Sequence, residues 1–368
     1  MAIFRNRETS VAFDIAGCPN RCRHCWLGCA NNKRLKVEDT LEVFENIKSQ
    51  VSKSNEINLK NIKYYATWLR EPDFLPEYKK LYELELELND HKSYRNNFEL
   101  LSIWRLAHDK EYVKWAKEIG TQKCQVTLFG GKDTTDWFYR RKKAYEDVIK
   151  ATDALIEHGI IPRWQLFFTK KILNEFDIIL DKIKELKIVE RLSSQGKKFE
   201  LFIHPPGPIG EGFKIEHLRV EKNNEECIPD LIIEKTREHY SKDKLWYAEE
   251  ELIKEFVRED NIDVINMFIP NVSWLFIDSN WNVYSNLECT SFDPWWKLGN
   301  IKRNSIKEII KIYEDNKCYG LKVASEITAK ELVEKYGNTY GQKLYESKGD
   351  LLSYYLNRFC KENYSKKE

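Results

Sequence analysis

The chain has 368 residues, 42% hydrophobic and 13% aromatic, and its 60 Lys plus Arg are balanced by 59 Asp plus Glu to a net charge of +1. At roughly 100–200 residues per domain, that length suits two domains, or one large α/β barrel with an appendage, around a substantial core. The balanced charge gives no global pull toward nucleic acid or an anionic membrane, no apolar run approaches the roughly 20 residues that span a bilayer, and the polar start MAIFRNRETS lacks a signal peptide's apolar core. These features predict a cytoplasmic protein with reduced thiols, no membrane partner and no support for a nucleic-acid partner.

In chain order, short apolar runs rich in β-branched and aromatic residues predict strands near 11–17, 61–68, 98–106, 123–129, 162–168 and 199–204. Helical periodicity falls between them, near 38–52, 76–88, 109–119, 141–158 and 174–187. Strict alternation predicts a parallel sheet with right-handed helical crossovers. Six such repeats make an α/β fold, a partial (β/α)6 TIM-type barrel. Gly159 is placed to cap the helix 141–158, with Pro162 just beyond it. The loop HPPGPIGEG (204–212) breaks regular structure with three prolines and three glycines. A boundary is expected there, between a core barrel (1–210) and a C-terminal region (211–368). In that region 272–289 reads as two strands around a turn at Asp278-Ser279-Asn280, a helix follows near 304–315, and the segment after 325 is lysine-rich with helical period.

Four of the nine cysteines, Cys18, Cys22, Cys25 and Cys29, lie within twelve residues. Where thiols stay reduced, such a cluster reads as metal or catalytic chemistry before a disulfide framework. The spacing Cys18-x3-Cys22-x2-Cys25 comes directly after the first predicted strand, where a βα barrel presents its active-site loops. Thiolates suit iron-sulfur clusters, and a four-iron cluster normally takes four protein ligands, so three cysteines leave one iron open. An open position distinguishes a catalytic site from a closed structural one. Two plainer readings stand beside this. One is a zinc knuckle completed by His24 or Cys29, although structural zinc usually draws paired ligands from two separated places and no second pair follows. The other is a closed iron-sulfur centre with Cys29 as fourth ligand.

The run CPNRCRHC resembles the CxxxCxxC motif of the radical S-adenosylmethionine (radical SAM) superfamily, with His24 where that family carries an aromatic or bulky residue. The resemblance implies one [4Fe-4S] cluster on Cys18, Cys22 and Cys25, with S-adenosylmethionine chelating the unique iron. It also implies reductive cleavage to a 5'-deoxyadenosyl radical that abstracts hydrogen from substrate, and an external electron donor such as flavodoxin or ferredoxin. The main chain at His24 would contact the adenine. WLREPDFLP (68–76) is similar to the family's GGEP stretch, which gives Glu71 the carboxylate that pairs with the cofactor's ammonium. Leu69 and Arg70 stand where the family has two glycines. The weaker family contacts at the ends of strands four to six fall on Thr127, Gln165, Thr169 and His204. This likeness covers roughly residues 11–210. The tail, IDSNWNVYSNLEC and then WWKLGNIKRNSIKEI, looks like a twitch or SPASM extension (272–310). Cys227, Cys289, Cys318 and Cys360 are widely spaced and no CxxC follows Cys289, so a degenerate extension without an auxiliary cluster is expected.

Cys289 is a candidate hydrogen-atom donor, set against the plainer reading of a buried inert cysteine. Trp68, Trp104, Trp137 and Trp164 read first as core and rim packing and second as a pocket lining that shields a radical. The run Arg140-Arg141-Lys142-Lys143 opens a helix, where cations oppose the dipole; it reads as a solvated face, or as a recruiter of an anion. The tail leans the substrate class toward a ribosomally made peptide, with a small molecule such as a sugar as the alternative. Only 17 residues precede Cys18, so an N-terminal peptide-recognition domain is not expected.

Overall fold

The computed structural model describes residues 9–14, 18–28, 35–52, 62–65, 74–92, 98–259, 262–269, 273–285 and 287–364. In chain order its strands are β1 (Thr9–Phe13), β2 (Ile62–Tyr65), β3 (Phe98–Glu99), β4 (Lys123–Leu128), β5 (Ile161–Phe167), β6 (Glu200–His204), β7 (Tyr247–Ala248), β8 (Ser273–Ile277), β9 (Asn282–Tyr284), β10 (Lys297–Asn300) and β11 (Leu344–Tyr345). Strands β3-β4-β5-β6 form one parallel sheet, and β1 pairs in parallel with β2. Helices fill each crossover, among them Val37–Ser52, Lys110–Glu118, Ala144–Glu157 and Phe176–Glu185. This is the α/β, partial (β/α)6 architecture that the alternation predicts.

Residue alternation sets the layers. Cys124, Val126 and Leu128 of β4 and Trp164 and Leu166 of β5 are buried against the helices, where Trp164 Nε1 donates to Thr152 Oγ1 at 3.1 Å. Lys123, Gln125 and Thr127, then Arg163 and Gln165, occupy the other, inner face, and each is half-buried. The outer edge of β6 is covered by helix Asp230–Tyr240: Thr236 Oγ1 accepts from the Ile203 N–H at 3.1 Å, satisfying a donor that an edge strand would otherwise leave open.

The C-terminal hairpin forms where expected, with β8 and β9 antiparallel around the turn at Asp278. The Asp278 carboxylate accepts from the backbone N–H groups of Asn280 and Asn282 at 2.7 and 3.0 Å, an Asx-type turn. Sequence pattern alone does not show that β8 continues the sheet of β1, paired in parallel from Thr9↔Ser273 to Phe13↔Ile277, with β9 and β10 outside it. The apolar core accordingly gathers in two clusters. One joins residues between Val11 and Leu88 to residues between Leu252 and Cys360. The other runs from Tyr78 to Trp246 and adds Leu344.

Local chemistry explains both agreement and departure. Helix Ala144–Glu157 ends as predicted: Gly159 has φ +68°, its N–H reaches the Ile156 carbonyl and the Ile160 N–H reaches that of Leu155, a Schellman motif. The run 98–106 is a strand only over Phe98–Glu99. From Ser102 it becomes helix Ile103–His108, because Ser102 Oγ accepts from the Arg105 N–H and caps a new helix. Helices Lys132–Tyr139, Ile188–Ser193 and Glu249–Arg258 and the β6-edge helix are among the described elements that the periodicity did not predict.

Candidate functional site at the cysteine loop

The loop 18–28 leaves the C-terminal end of β1 and is held from three directions. From below, Phe138 and Tyr139 accept backbone hydrogen bonds from Arg23 and Arg21 at 2.8 and 3.1 Å, and the Arg23 Nε donates to the Trp137 carbonyl at 3.1 Å. The Arg23 guanidinium also lies over the Trp137 ring, 4.0 Å from its centre. From the side, Arg141 Nε donates to Asn20 Oδ1 at 2.7 Å while its Nη1 meets Asp147 Oδ2 at 2.5 Å. From above, the 204–212 loop docks through the Glu211 N–H, which donates to the Cys25 carbonyl at 2.9 Å, and Arg140 ties the Glu211 side chain down at 2.8 Å. Gly210 makes that approach possible. It has φ +58°, and a Cβ there would stand 2.3 Å from the Trp26 carbonyl oxygen and 2.6 Å from that of Cys25. Arg140 and Arg141, which the sequence leaves as a solvated face or an anion recruiter, are therefore internal clamps.

Within the loop, turns close from Cys25 N–H to the Cys22 carbonyl and from Gly28 N–H to the Cys25 carbonyl, at 3.2 and 3.1 Å. Cys18 is buried, Cys22 and Cys25 are half-buried, and all three stand outside any disulfide. Among the described residues no three His, Cys, Asp or Glu side chains converge to hold a single metal ion. A four-iron cluster takes one thiolate on each iron, so its sulfurs stand around a cube rather than about one ion. The donor set, three cysteine side chains on one braced loop that follows a parallel strand, fits such a group.

Facing this loop are the ends of β4, β5 and β6. The His24 ring packs against Phe129 and Phe167, with centroids 4.7 and 4.4 Å away, and Phe167 in turn meets His204 at 4.6 Å. His24 Nδ1 is buried without a hydrogen-bond partner, and burial, with His204 nearby, pushes the imidazole down to about 3. Thr127, Gln165 and His204 come together: the Thr127 hydroxyl donates to Gln165 Oε1 at 3.0 Å, and Gln165 Nε2 lies 2.6 Å from His204 Nε2. Thr169 does not join them. It is fully buried, bridges to Arg219 through its backbone, and its hydroxyl lacks a partner. Glu71 and Trp68 lie outside the described residues.

Farther along the inner face, Arg163 Nη2 donates to Gln125 Oε1 at 2.9 Å, and Lys123 pairs with Glu200 at 2.5 Å. At the mouth, Glu346 reaches in from the C-terminal region to stand 3.0 Å from His204 Nδ1, in an off-axis approach. Burial alone would raise its carboxyl. The facing imidazole and the Arg219 guanidinium outweigh that and hold it below the usual carboxylate range. Gln125, Arg163 and Glu346 were not anticipated. The alternation of β4 and β5 carried a signal for the first two, since polar residues there repeat at every second position, whereas nothing local marks Glu346.

Cys289 is fully buried, and burial, with Cys360 nearby, raises its thiol well above the usual range. Beside the cysteine loop a cavity of about 310 Å³ opens between Asp14, Gly28, Glu211, Asp278, Tyr284 and Asp293, at the ends of β1 and β8. Burial raises the Asp293 carboxyl, which accepts from the Ser291 hydroxyl.

No family model matches the sequence, and no curated protein matches it. Solved structures do match. With anSMEcpe bound to AdoMet and the Cp18Cys peptide the TM-score is 0.51, at 13% identity over 96% of this chain and 97% of that one. With anSMEcpe bound to AdoMet and the Kp18Cys peptide it is 0.50, at 12% identity over 96% and 98%. Streptococcus suis SuiB bound to precursor peptide SuiA gives 0.49, at 12% identity over 92% and 75%. What the chain shares with anSMEcpe at such identity is the fold, along nearly the whole length of both.

Proposed function

We propose that the chain is a radical S-adenosylmethionine enzyme. The observation that carries this reading is the braced CxxxCxxC loop at the end of β1, directly opposite a polar inner face on β4 to β6. Its shared fold with a protein solved with AdoMet bound supports the same reading. Cys18, Cys22 and Cys25 would hold a [4Fe-4S] cluster, and the polar groups at Thr127, Gln165 and His204, with the main chain at His24, would hold the cofactor. When bound, the reduced cluster and S-adenosylmethionine together supply a 5'-deoxyadenosyl radical for hydrogen abstraction. The chain's own residues bind and orient. The clamps through Asn20, Arg23 and Glu211 fix the thiols, and the aromatic group of Phe129, Phe138 and Phe167 keeps water from the loop's inner side.

The substrate class is a peptide. This is supported by the peptide complexes of anSMEcpe and by the hairpin region, which extends the β1 sheet beside the cavity at the loop. Residues 1–210 act as the barrel and 211–368 as the region that closes over the substrate, fed by an external flavodoxin or ferredoxin. The test is anaerobic iron-sulfide reconstitution, then reduction with S-adenosylmethionine present. 5'-Deoxyadenosine is expected and Cys18→Ala abolishes it, while Cys289→Ala leaves cofactor cleavage intact. One zinc per chain with no 5'-deoxyadenosine would overturn the proposal.

A further inference from the structure

The polar side chains on the inner face of β4 to β6 form one continuous series, and its two ends fix the sense of every link. A guanidinium only donates, so the atom of Gln125 that Arg163 Nη2 meets at 2.9 Å is the amide oxygen. Gln125 therefore turns its Nε2 to Gln165 Oε1, 2.5 Å away, where the Thr127 hydroxyl also donates. Gln165 is left with Nε2 toward His204 Nε2 at 2.6 Å. An amide N–H at that distance needs a lone pair on His204 Nε2, which puts the ring hydrogen on Nδ1. Nδ1 lies 3.0 Å from Glu346 Oε1, beside it but off the axis of a formed hydrogen bond, and a carboxylate only accepts. The hydrogen-bonded series thus runs from a fixed donor through two amides to the imidazole, and the Glu346 carboxylate stands beside its far nitrogen.

Glu346 arrives from 142 residues beyond His204, just after β11, and its backbone is anchored. Its N–H donates to Asp350 Oδ2 at 3.1 Å, and Asp350 faces the fully buried Arg219 at 3.4 Å. Arg219 in turn binds Glu216 Oε2 and the Leu344 and Pro206 carbonyls at 2.8, 2.9 and 2.8 Å. Among the described residues, those that face His204 from neighbouring elements are Gln165 and Phe167 of β5, His24 of the cysteine loop, His239 of the edge helix and Glu346. Of these, only Glu346 meets Nδ1.

We propose that Glu346 is a positioning residue: it holds His204 as the Nδ1–H tautomer and so presents Nε2 inward as a hydrogen-bond acceptor, taken by Gln165 here and by an N–H or O–H group of the bound ligand in its place. The identity of that ligand as S-adenosylmethionine rests on the proposed function; the tautomer does not. In water a free imidazole favours hydrogen on Nε2; the Gln165 N–H at Nε2 and the carboxylate beside Nδ1 both favour the reversed tautomer.

The test uses the full chain labelled with 15N-histidine, with His204→Gln identifying the resonance. The wild type is expected to show a protonated Nδ1 and a bare Nε2 at His204. Glu346→Leu, which keeps the backbone bond to Asp350, moves the hydrogen to Nε2, while Glu346→Gln, still an acceptor, retains the wild-type pattern. If Glu346→Leu does not fold, Glu346→Ala takes its place. A wild-type His204 with hydrogen on Nε2, or the same tautomer in all variants, overturns the proposal. These spectra need neither iron nor S-adenosylmethionine, so they fail or succeed apart from the functional reading. On reconstituted protein, Glu346→Leu is expected to weaken S-adenosylmethionine binding about tenfold and Glu346→Gln no more than about threefold. Equal affinities for all three overturn the ligand half of the proposal.

Discussion

Replacing Arg141 with Met tests whether the clamp on the cysteine loop is structural. The side chain bridges Asp147 at 2.5 Å and Asn20 at 2.7 Å, and Asp147 is only 4% exposed. Removing one partner of a buried pair costs about 3–5 kcal/mol because the other charge stays buried. Here the cost is reduced, since His108 Nε2 remains 2.8 Å from Asp147 Oδ1 and Arg141 itself is 20% exposed. About 2 kcal/mol remains for the pair, and the lost Asn20 bond adds about 1 kcal/mol. A total of about 3 kcal/mol lowers the melting temperature by roughly 4 °C in a chain of this size. Thermal denaturation of Arg141→Met and of the Arg141→Met/Asp147→Asn double variant measures it. The double variant recovers at least about 1 kcal/mol, because the orphaned carboxylate is then neutral. A single variant within about 0.5 kcal/mol of wild type, or a double variant no more stable than the single, would show that solvent already screens the pair.

Three further outcomes are expected. Gly210→Ala forces a Cβ against the Trp26 and Cys25 carbonyls at positive φ; it should cost more than about 2 kcal/mol in urea denaturation and lower the iron bound per chain after reconstitution. A Gly210→Ala protein with wild-type stability and iron content refutes the docked geometry. Cys227 is exposed whereas Cys124, Cys289, Cys318 and Cys360 are buried, with burial raising Cys318 to about 12; a thiol reagent read by mass spectrometry should modify Cys227 in the native state and those four only on unfolding. For His24, burial depresses the folded value to about 3 from about 6.5 in the unfolded chain. Above pH 7 both states are neutral. As pH falls from about 6.5 toward 3 the unfolded state takes up the proton first, so stability drops by at most about 1.4 kcal/mol per unit. His24→Phe should remove that slope from urea midpoints collected across the window, and an unchanged slope would refute the assignment.

The parts of the molecule legible in sequence are those governed by near neighbours. The inner and outer faces of β4 and β5, the glycine end at Gly159 and the turn at Asp278 all follow from residues within a few positions of each other. The run at 98–106 misled because a short apolar stretch has no period long enough to separate strand from helix, and the cap at Ser102 decides it. Long-range partners were illegible. Arg140 and Arg141 look solvated until Glu211, Asp147 and Asn20 are brought to them. Glu346 is one acid among many in a charged tail until the fold sets it against His204. The cysteine spacing was legible as chemistry, whereas the three-sided brace that orients it depends on contacts across more than 100 residues.

The parallel pairing of β1 with β8 has a bearing on the order in which the molecule is made. The cluster built between Tyr78 and Trp246 has nearly all of its chain once the middle of the protein has left the ribosome. The cluster around β1 does not, since its other half lies between Leu252 and Cys360. Domains form as their chain emerges, so β1 waits for β8, β9 and β10, made long after it, before its sheet is complete. The cysteine loop spans that seam, with Cys22 packed on the early cluster and Cys25, Trp26 and Leu27 on the late one. Its thiols therefore reach their final arrangement only after the residues beyond Leu252 have been made, and the cluster proposed for them would be loaded after that.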